Sequence, residues 1–322
     1  MNIAILDDYQ DAVRKLPCMQ HLQGYTVKVY TNNVKGVGQL AIRLRDADVV
    51  VLLGERTHIS GLLISKLPKL RLIAQVGKVG PHIDLNACTQ RGITVTQSGE
   101  DPNAAAELAW TLVMASMRRL PQYIANLKHG TWQQSGFKAA AMPPNFALGS
   151  SLRGKTLGIW GYGQVGKIVA SYGKAFGMHV LVWGSSAART QAIEDGIATA
   201  SDKTSFFSAS DVLSLHLRFA PSTRFCVTKQ DLAQMKPTAL LVNTAHAELL
   251  QPDALLHGLQ QGRPGLAAVD VYESEPILQG HGLLRLENCI CTPHIGYVEQ
   301  DSYERLLGET FDSIKKFAQS DT

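Results

Sequence analysis

Short apolar runs of four or five residues alternate along this chain with stretches whose apolar positions recur at helical spacing. In the first hundred residues the runs Ile3–Leu6, Thr26–Tyr30, Val49–Leu53, Leu72–Gln75 and Ile93–Thr96 predict strands. Between them Gln39–Arg45 and Ser60–Lys66 predict amphipathic helices, the second closed by Pro68. A longer helix is expected from about Pro102 through Arg119. Asp101 precedes it as a capping residue, Pro102 takes the first helical position, and Pro121 lies just beyond its end. The stretch 129–153, rich in Gly, Ser and Pro, reads as a loop or arm in which Trp132, Phe137 and Phe146 need burial. A second series of strands follows at Thr156–Trp160, His179–Trp183, Val212–His216, Ala239–Asn243, Leu266–Val269 and Cys289–Cys291. Such alternation builds βαβ units around parallel sheets. The pattern therefore predicts an α/β protein with two doubly wound parallel-sheet domains, the first smaller and without a glycine fingerprint.

Composition narrows the classes of function. The 322 residues carry 31 Lys+Arg against 27 Asp+Glu, a net charge of +4, with no run of five like charges. A nucleic-acid binder shows a basic stripe, so that class is not favoured. The longest apolar stretch, Ala104–Met117, contains Glu107 and is shorter than the roughly 18 residues a membrane span needs. The N-terminus meets Asp7 and Asp8 at once and reads as a first strand, not a signal peptide. Five scattered cysteines (Cys18, Cys88, Cys226, Cys289, Cys291) form no CxxC pair. Cys289 and Cys291 point to one face of a strand, where packing is the expected role, and a reducing, cytoplasmic setting fits. No metal site is expected.

Candidate chemistry begins at Gly161-Tyr162-Gly163-Gln164-Val165-Gly166. Three glycines at this spacing arise by chance about 0.2 times in such a chain, so the string alone is weak. Its setting is stronger: the run Leu157–Trp160 enters it, Lys167–Ala175 leaves it as a helix, and a βαβ unit closes at Val180. Gly161 permits the turn, Gly163 lets backbone approach a pyrophosphate, and Gly166 lets helix and strand pack closely. Amides of Gln164 and Val165 at the helix start then face the phosphates. Gly161 to Lys167 also satisfies the P-loop spacing, but Ile168 supplies no hydroxyl for Mg²⁺. A ligand-free strand–helix turn is the remaining alternative. The acid that would bind the adenosine ribose is missing, because Gly184 stands where it should, followed by Ser185 and Ser186. Nothing repels a 2′-phosphate, to which these serines and Arg189 can donate. NADPH is therefore expected to bind at least as well as NADH.

These residues, with others along nearly the whole chain, make it similar to a known family. Leu67-Pro68-Lys69-Leu70-Arg71-Leu72-Ile73, His82-Ile83-Asp84, Ala106-Glu107-Leu108 and Leu215-His216 carry the resemblance. So do Met235-Lys236-Pro237, Val242-Asn243-Thr244, Asp270-Val271-Tyr272-Glu273, Glu275-Pro276 and Thr292-Pro293-His294-Ile295-Gly296. The chain resembles the D-isomer-specific 2-hydroxyacid dehydrogenases, nearest their phosphoglycerate-dehydrogenase-like branch. The resemblance implies a flavodoxin-like substrate domain from residues 1–102 and 293–322, with an NAD(P)-binding Rossmann domain, 103–292, inserted. It also implies a homodimer through the cofactor domain, and a small 2-oxo or 2-hydroxy acid as substrate.

Residue by residue, the resemblance makes His294 the acid/base and Glu275 the carboxylate that orients it. A histidine suits the task, since it titrates nearest neutral pH. Asp270 is expected at the nicotinamide carboxamide, with His216, Thr244 and Gly296 also along the cofactor. The backbone of Gly77, Lys78 and Val79 is expected to hold the substrate carboxylate. As residue types alone, His294 also fits a core histidine, Glu275 a surface carboxylate, and Asp270 or His216 a strand-end residue. Three positions depart from the family pattern. His246 stands where the family has its catalytic arginine, Gly54 stands at another arginine position with Arg56 displaced toward Thr57 as the remaining substrate-side cation, and a proline is replaced near Arg218. Histidine is shorter than arginine, is often neutral, and offers at most two donors. The resemblance thus implies an NAD(P)-dependent 2-hydroxyacid dehydrogenase. The alternative is a catalytically weakened relative that binds nicotinamide dinucleotide in a co-regulatory role.

Overall fold

The computed structural model describes residues 1–135, 143 and 145–320; Phe137 and Pro144 lie outside the described residues. The chain folds as two compact units, 1–101 with 297–322, and 102–296.

The first unit is built on a five-stranded parallel sheet. Its strands are β1 (Asn2–Ile5), β2 (Thr26–Val29), β3 (Val49–Leu53), β4 (Leu72–Val76) and β5 (Thr94–Gln97), in the order β2-β1-β3-β4-β5. This is the flavodoxin-like order. Strand side chains alternate between faces, and here both faces are apolar. Ile3, Ile5, Val49, Val51, Leu72 and Ala74 pack on Leu307, Phe311 and Ile314 of the C-terminal helix Gln300–Ser320. Ala4, Val50, Leu52 and Ile73 pack on α1 (Val37–Leu44), α2 (Gly61–Ile64) and α3 (Leu85–Gln90). A parallel sheet covered on both sides reads as unbroken apolar runs, which is why these strands were visible in the sequence. Ser60 caps α2 rather than joining it, its hydroxyl accepting from the Leu63 amide.

The second unit opens with α4 (Pro102–Met117) and α5 (Leu120–Lys128). The expected single helix to Arg119 is broken there, since Arg119 adopts φ 55°. Pro121 does not stop a helix; it sits in the first turn of α5, where the missing N–H costs nothing. The Arg119 side chain donates to the carbonyls of Ser116 at 2.6 Å and Phe146 at 3.1 Å, so it serves an end carbonyl of α4. Phe146 is buried as expected, but Trp132 is 73% exposed, because nothing described in this chain covers it.

There follow β6 (Thr156–Trp160), α6 (Gln164–Ala175), β7 (His179–Trp183), α7 (Ser186–Glu194), β8 (Ala198–Thr199), α8 (Lys203–Ala209) and β9 (Val212–Leu215). The series ends with α9 (Lys229–Gln234), β10 (Leu240–Asn243), α10 (Ala254–Gln260), β11 (Leu266–Val269) and β12 (Cys289–Cys291). The seven strands are parallel in the order β12-β11-β10-β9-β6-β7-β8, a Rossmann sheet. Leu157, Ile159, Val182 and Val242 face α4 and α6, while Leu213, Leu215, Leu241 and Val269 face α8, α9 and α10. Cys289 and Cys291 are unpaired thiols with sulfurs 3.7 Å apart, packed at the margin of the second core.

Candidate active site

Strand order dictates where a ligand can sit. The chain leaves β6 toward β7 and β8, then returns to lay β9 on the other side of β6. Helices after β6 and β9 diverge from this switch point and leave a crevice at the carboxyl ends of the strands. The glycine loop lies there. Gly161 has φ 99°, and a Cβ on it would come within 2.7 Å of the His216 carbonyl oxygen. A Cβ on Gly166 would collide with the Gly161 carbonyl. Gly163 is different: it precedes α6 with no side-chain cap, and a Cβ on it meets no atom within 4 Å. Uncapped amides at Gln164 and Val165 thus face open space beside a positive helix end, a cradle that fits a pyrophosphate.

Other expected residues of this unit leave neighbouring strands at the same edge. Ser185 and Ser186 follow β7, His216 follows β9, Thr244 and His246 follow β10, and Asp270 follows β11. Ser185 caps α7 by accepting from the Ala188 amide, which leaves its O–H to donate. The Arg189 guanidinium stacks over Trp183, 4.9 Å from the ring centroid.

Beyond β12 the chain makes a turn organised by one buried carboxylate. Asp270 Oδ1 accepts from the Thr292 hydroxyl at 2.6 Å and the Ile295 amide at 2.9 Å, and Oδ2 accepts from the Gly296 amide at 2.9 Å. These bonds keep the chain with the second unit through Gly296, four residues past the return point expected from the sequence. Burial pushes the Asp270 carboxyl upward, against the lowering effect of its donors. Within the turn His294 adopts φ 53°. Its Nδ1 lies 2.6 Å from Glu275 Oε2, and Glu275 Oε1 accepts from the Tyr272 amide at 3.0 Å. The carboxylate is thus anchored on one oxygen and bound to the imidazole by the other.

His246 belongs to the same edge. The Asn243 side chain fixes its turn, accepting from the Ala245 amide at 3.1 Å and donating to the His246 carbonyl at 2.8 Å. The imidazole lies against Phe219, centroids 5.9 Å apart. Burial lowers its pKa below 6.5, Glu248 opposes this, and His294 adds to the lowering. The His246 ring therefore takes up a proton less readily than an ordinary histidine. Phe219 was not singled out from the sequence, and Asn243 and Thr292 entered there only as members of motifs, with no role of their own. Asn243, an Asx residue at a strand end, was the one with a readable turn signal.

In the first unit Gly77 has φ 84° and follows β4. Its amide donates to Ser98 Oγ at 2.8 Å, the Val79 amide donates to Gln97 Oε1 at 3.0 Å, and Lys78 pairs with Glu100. Side chains after and at the end of β5 therefore hold this loop. Arg56 donates to the Asp7 carbonyl at 2.7 Å and is stacked by Tyr9 and Tyr297, each 5.1 Å away.

A family model for the NAD-binding domain of D-isomer-specific 2-hydroxyacid dehydrogenases matches residues 110–296. A glyoxylate reductase of Aeropyrum pernix is 34% identical over 87% of this chain and 82% of its own length. The chain belongs to the D-isomer-specific 2-hydroxyacid dehydrogenase family. It shares its fold with a solved oxidoreductase from Ralstonia solanacearum, at TM-score 0.98 and 55% identity over 100% of this chain and 95% of that one. A phosphoglycerate oxidoreductase from Vibrio cholerae O395 superposes at TM-score 0.94 and 48% identity, covering 99% of each chain. As a family member the chain is an oxidoreductase of the NAD-dependent 2-hydroxyacid type, with a nicotinamide-dinucleotide-binding domain.

Two histidines of this dehydrogenase, His82 buried and His216 half-buried, tie its stability to pH. Burial, with a smaller effect of His58, pushes His82 down to about 4, and burial pushes His216 down to about 4. Between pH 6.5 and 4 the unfolded chain takes up these protons while the folded chain does not. Stability is therefore expected to fall as pH drops through this window, by up to about 1.4 kcal/mol per pH unit for each histidine. Urea midpoints at pH 7.5 and 5 test this: His82→Gln and His216→Gln should each flatten the fall, and an unchanged slope in both would refute it.

Proposed function

We propose that this protein is an NAD(P)-dependent oxidoreductase that interconverts a small 2-oxo acid and its D-2-hydroxy acid, with His294 as acid/base oriented by Glu275. The His294–Glu275 pair, one strand exit from Asp270 on the sheet edge that carries the glycine loop, is the observation that supports it most. The hydride is the chemistry a nicotinamide dinucleotide supplies when bound. The proton is left to the chain. In reduction the His294 Nε2–H donates to the carbonyl oxygen of the substrate while Nδ1–H stays on Glu275. In oxidation Nε2 takes the proton back. Asp270 holds the turn that carries the imidazole, and the Gly161–Gly166 loop with the start of α6 would bind the pyrophosphate.

In this reading the first unit is the substrate domain, with the Gly77–Val79 loop meeting the carboxylate through the Lys78 amide while the Gly77 and Val79 amides stay on Ser98 and Gln97, and the second is the cofactor domain. Arg56, held by Asp7, Tyr9 and Tyr297, acts there through the surrounding side chains and not as a free fork. The protein works as a homodimer through the second unit, where Leu120, Ile124 and Leu127 lie exposed on one face of α5 and Trp132 follows. Five unpaired cysteines agree with a cytoplasmic setting.

NADPH is expected to bind at least as well as NADH, because Ser185, Ser186 and Arg189 replace the repelling acid. Arg189→Ala should weaken NADPH relative to NADH by about tenfold, the loss of one charge-assisted bond. Fluorescence titration measures both, and a tenfold or greater preference for NADH in the native protein overturns the reading. Gly184 is a poor place to install an acid, since it has φ 158° and a Cβ there would sit 3.3 Å from Ala188. Ser185→Asp keeps the α7 cap and should turn preference toward NADH.

The half-buried ring of His246, which desolvation makes harder to protonate, favours a second reading, a weakened relative that binds the dinucleotide in a co-regulatory role. Titrating the cofactors and then screening glyoxylate, hydroxypyruvate and phosphohydroxypyruvate separates the two. Cofactor binding without turnover selects the second.

A further inference from the structure

The carboxyl edge of the first unit has a charge and a shape of its own. The three residues after each of its five strands hold four carboxylates, Asp7, Asp8, Glu55 and Glu100, against two cations, Arg56 and Lys78. Both cations are already engaged. Lys78 pairs with Glu100 at 2.5 Å. Arg56 donates to the Asp7 carbonyl and has the rings of Tyr9 and Tyr297 stacked on it. Asp7 is held by Asn33 and Thr57, and Asp8 by the amides of Ala12 and Val13, so these carboxylates do not neutralise Arg56 by direct pairing alone. The edge as a whole is negative.

Its shape is set by Tyr297. Gly54, directly after β3, has φ 66°, and a Cβ on it would lie 2.6 Å from the Tyr297 hydroxyl oxygen. The phenol therefore occupies the space over Gly54. This wall stands beside the Gly77–Val79 loop, since β3 and β4 are paired neighbours with Leu53 opposite Val76. The Gln75 amide ties the two exits together, donating to the Gly54 carbonyl at 3.0 Å and the Val76 carbonyl at 2.8 Å, while its oxygen holds His82. Paired strands run about 4.8 Å apart. The exit of β3 is thus within reach of a substituent on the third carbon of a 2-oxo acid whose carboxylate is held by the loop after β4.

We propose that Tyr297 over Gly54, on this negative edge, selects 2-oxo acids with a small uncharged substituent and rejects those bearing a second anion such as a phosphate ester. The inference rests on the reading that the Gly77–Val79 loop holds the substrate carboxylate. It separates two activities that the relatives' names leave side by side, glyoxylate reduction and phosphoglycerate oxidation. A phosphate ester would bring two further negative charges to an edge where, among the described residues, carboxylates outnumber cations four to two, and its bulk would meet the phenol. Glyoxylate and hydroxypyruvate bring neither.

The test is a set of kcat/KM ratios, each taken on one enzyme preparation so that a partly misfolded fraction cancels. With the cofactor that binds better, the native protein should prefer hydroxypyruvate over phosphohydroxypyruvate by at least 100-fold. Tyr297→Ala should raise the ratio of 4-methyl-2-oxopentanoate to glyoxylate at least tenfold by opening the wall. Gly54→Arg combined with Tyr297→Ala adds a cation in the cleared space and should narrow the hydroxypyruvate preference at least tenfold. Reduction of the phosphate ester within tenfold of hydroxypyruvate by the native protein overturns the proposal while leaving the oxidoreductase reading intact. Ratios unmoved in both variants do the same. Turnover of no 2-oxo acid with either cofactor overturns the oxidoreductase reading, and the selectivity with it.

Discussion

Replacement of His294 is expected to lower kcat by about 10²–10⁴-fold while cofactor affinity stays nearly unchanged. In the proposed mechanism the imidazole moves the proton, bound through Nδ1 to Glu275 and carried on a turn that Asp270 holds by three hydrogen bonds. The glycine loop lies four strands away in the sheet and does not depend on that ring. The choice of substitution matters, because His294 has φ 53°. Alanine is strained in that conformation, whereas asparagine tolerates it. His294→Asn therefore removes the acid/base with the backbone least disturbed, and His294→Ala should behave alike apart from a small loss of stability. Steady-state kinetics with a 2-oxo acid, together with NAD(P)H titration and a melting curve, would check this. A kcat within threefold of the native protein in the asparagine variant would remove His294 from the mechanism.

His246→Arg is expected to raise kcat/KM for a 2-oxo acid by at least tenfold. An arginine here offers a planar fork that is always charged, suited to a carboxylate and a polarised carbonyl. Losing such a charge-assisted contact removes a few kcal/mol of transition-state stabilisation, about 10²–10³-fold in rate. The native imidazole cannot make up the difference at neutral pH, because burial holds its pKa below 6.5. The sign of the pH dependence follows: His246 gains its charge only as pH falls through that lowered value. Native activity should therefore improve toward acidic pH. His294 must also be protonated to act in reduction, so both histidines shape the native profile. The arginine variant isolates one of them, since its pH profile should lose the acidic gain that belongs to His246. Normal cofactor binding with no gain in kcat/KM would show that His246 is not a diminished arginine, and the co-regulatory reading would then account better for the protein.

The sequence by itself determined the fold class and most of the strand positions. Val49–Leu53, Thr156–Trp160, His179–Trp183, Leu266–Val269 and Cys289–Cys291 fall where their apolar runs put them. A parallel strand buried on both faces must be apolar throughout, and that need is written locally. The two-residue edge strand Ala198–Thr199 has no such run and was missed. The glycine loop was legible for a similar reason, since Gly161 and Gly166 answer to close contacts within their own βαβ unit or the adjoining strand exit.

Tertiary structure alone decided the rest. Nothing in the spacing of residues shows that Glu275 reaches His294 at 2.6 Å, or that Asp270 gathers donors from 22 to 26 residues away. Nor does it show that Arg119 turns back to end one helix and begin another, that Trp132 stands exposed, or that Tyr297 fills the space over Gly54. Hydrogen-bond partners and close contacts of this kind are made across strand exits, so they carry no period in the sequence. They exist only once the sheet order has brought those exits to one edge.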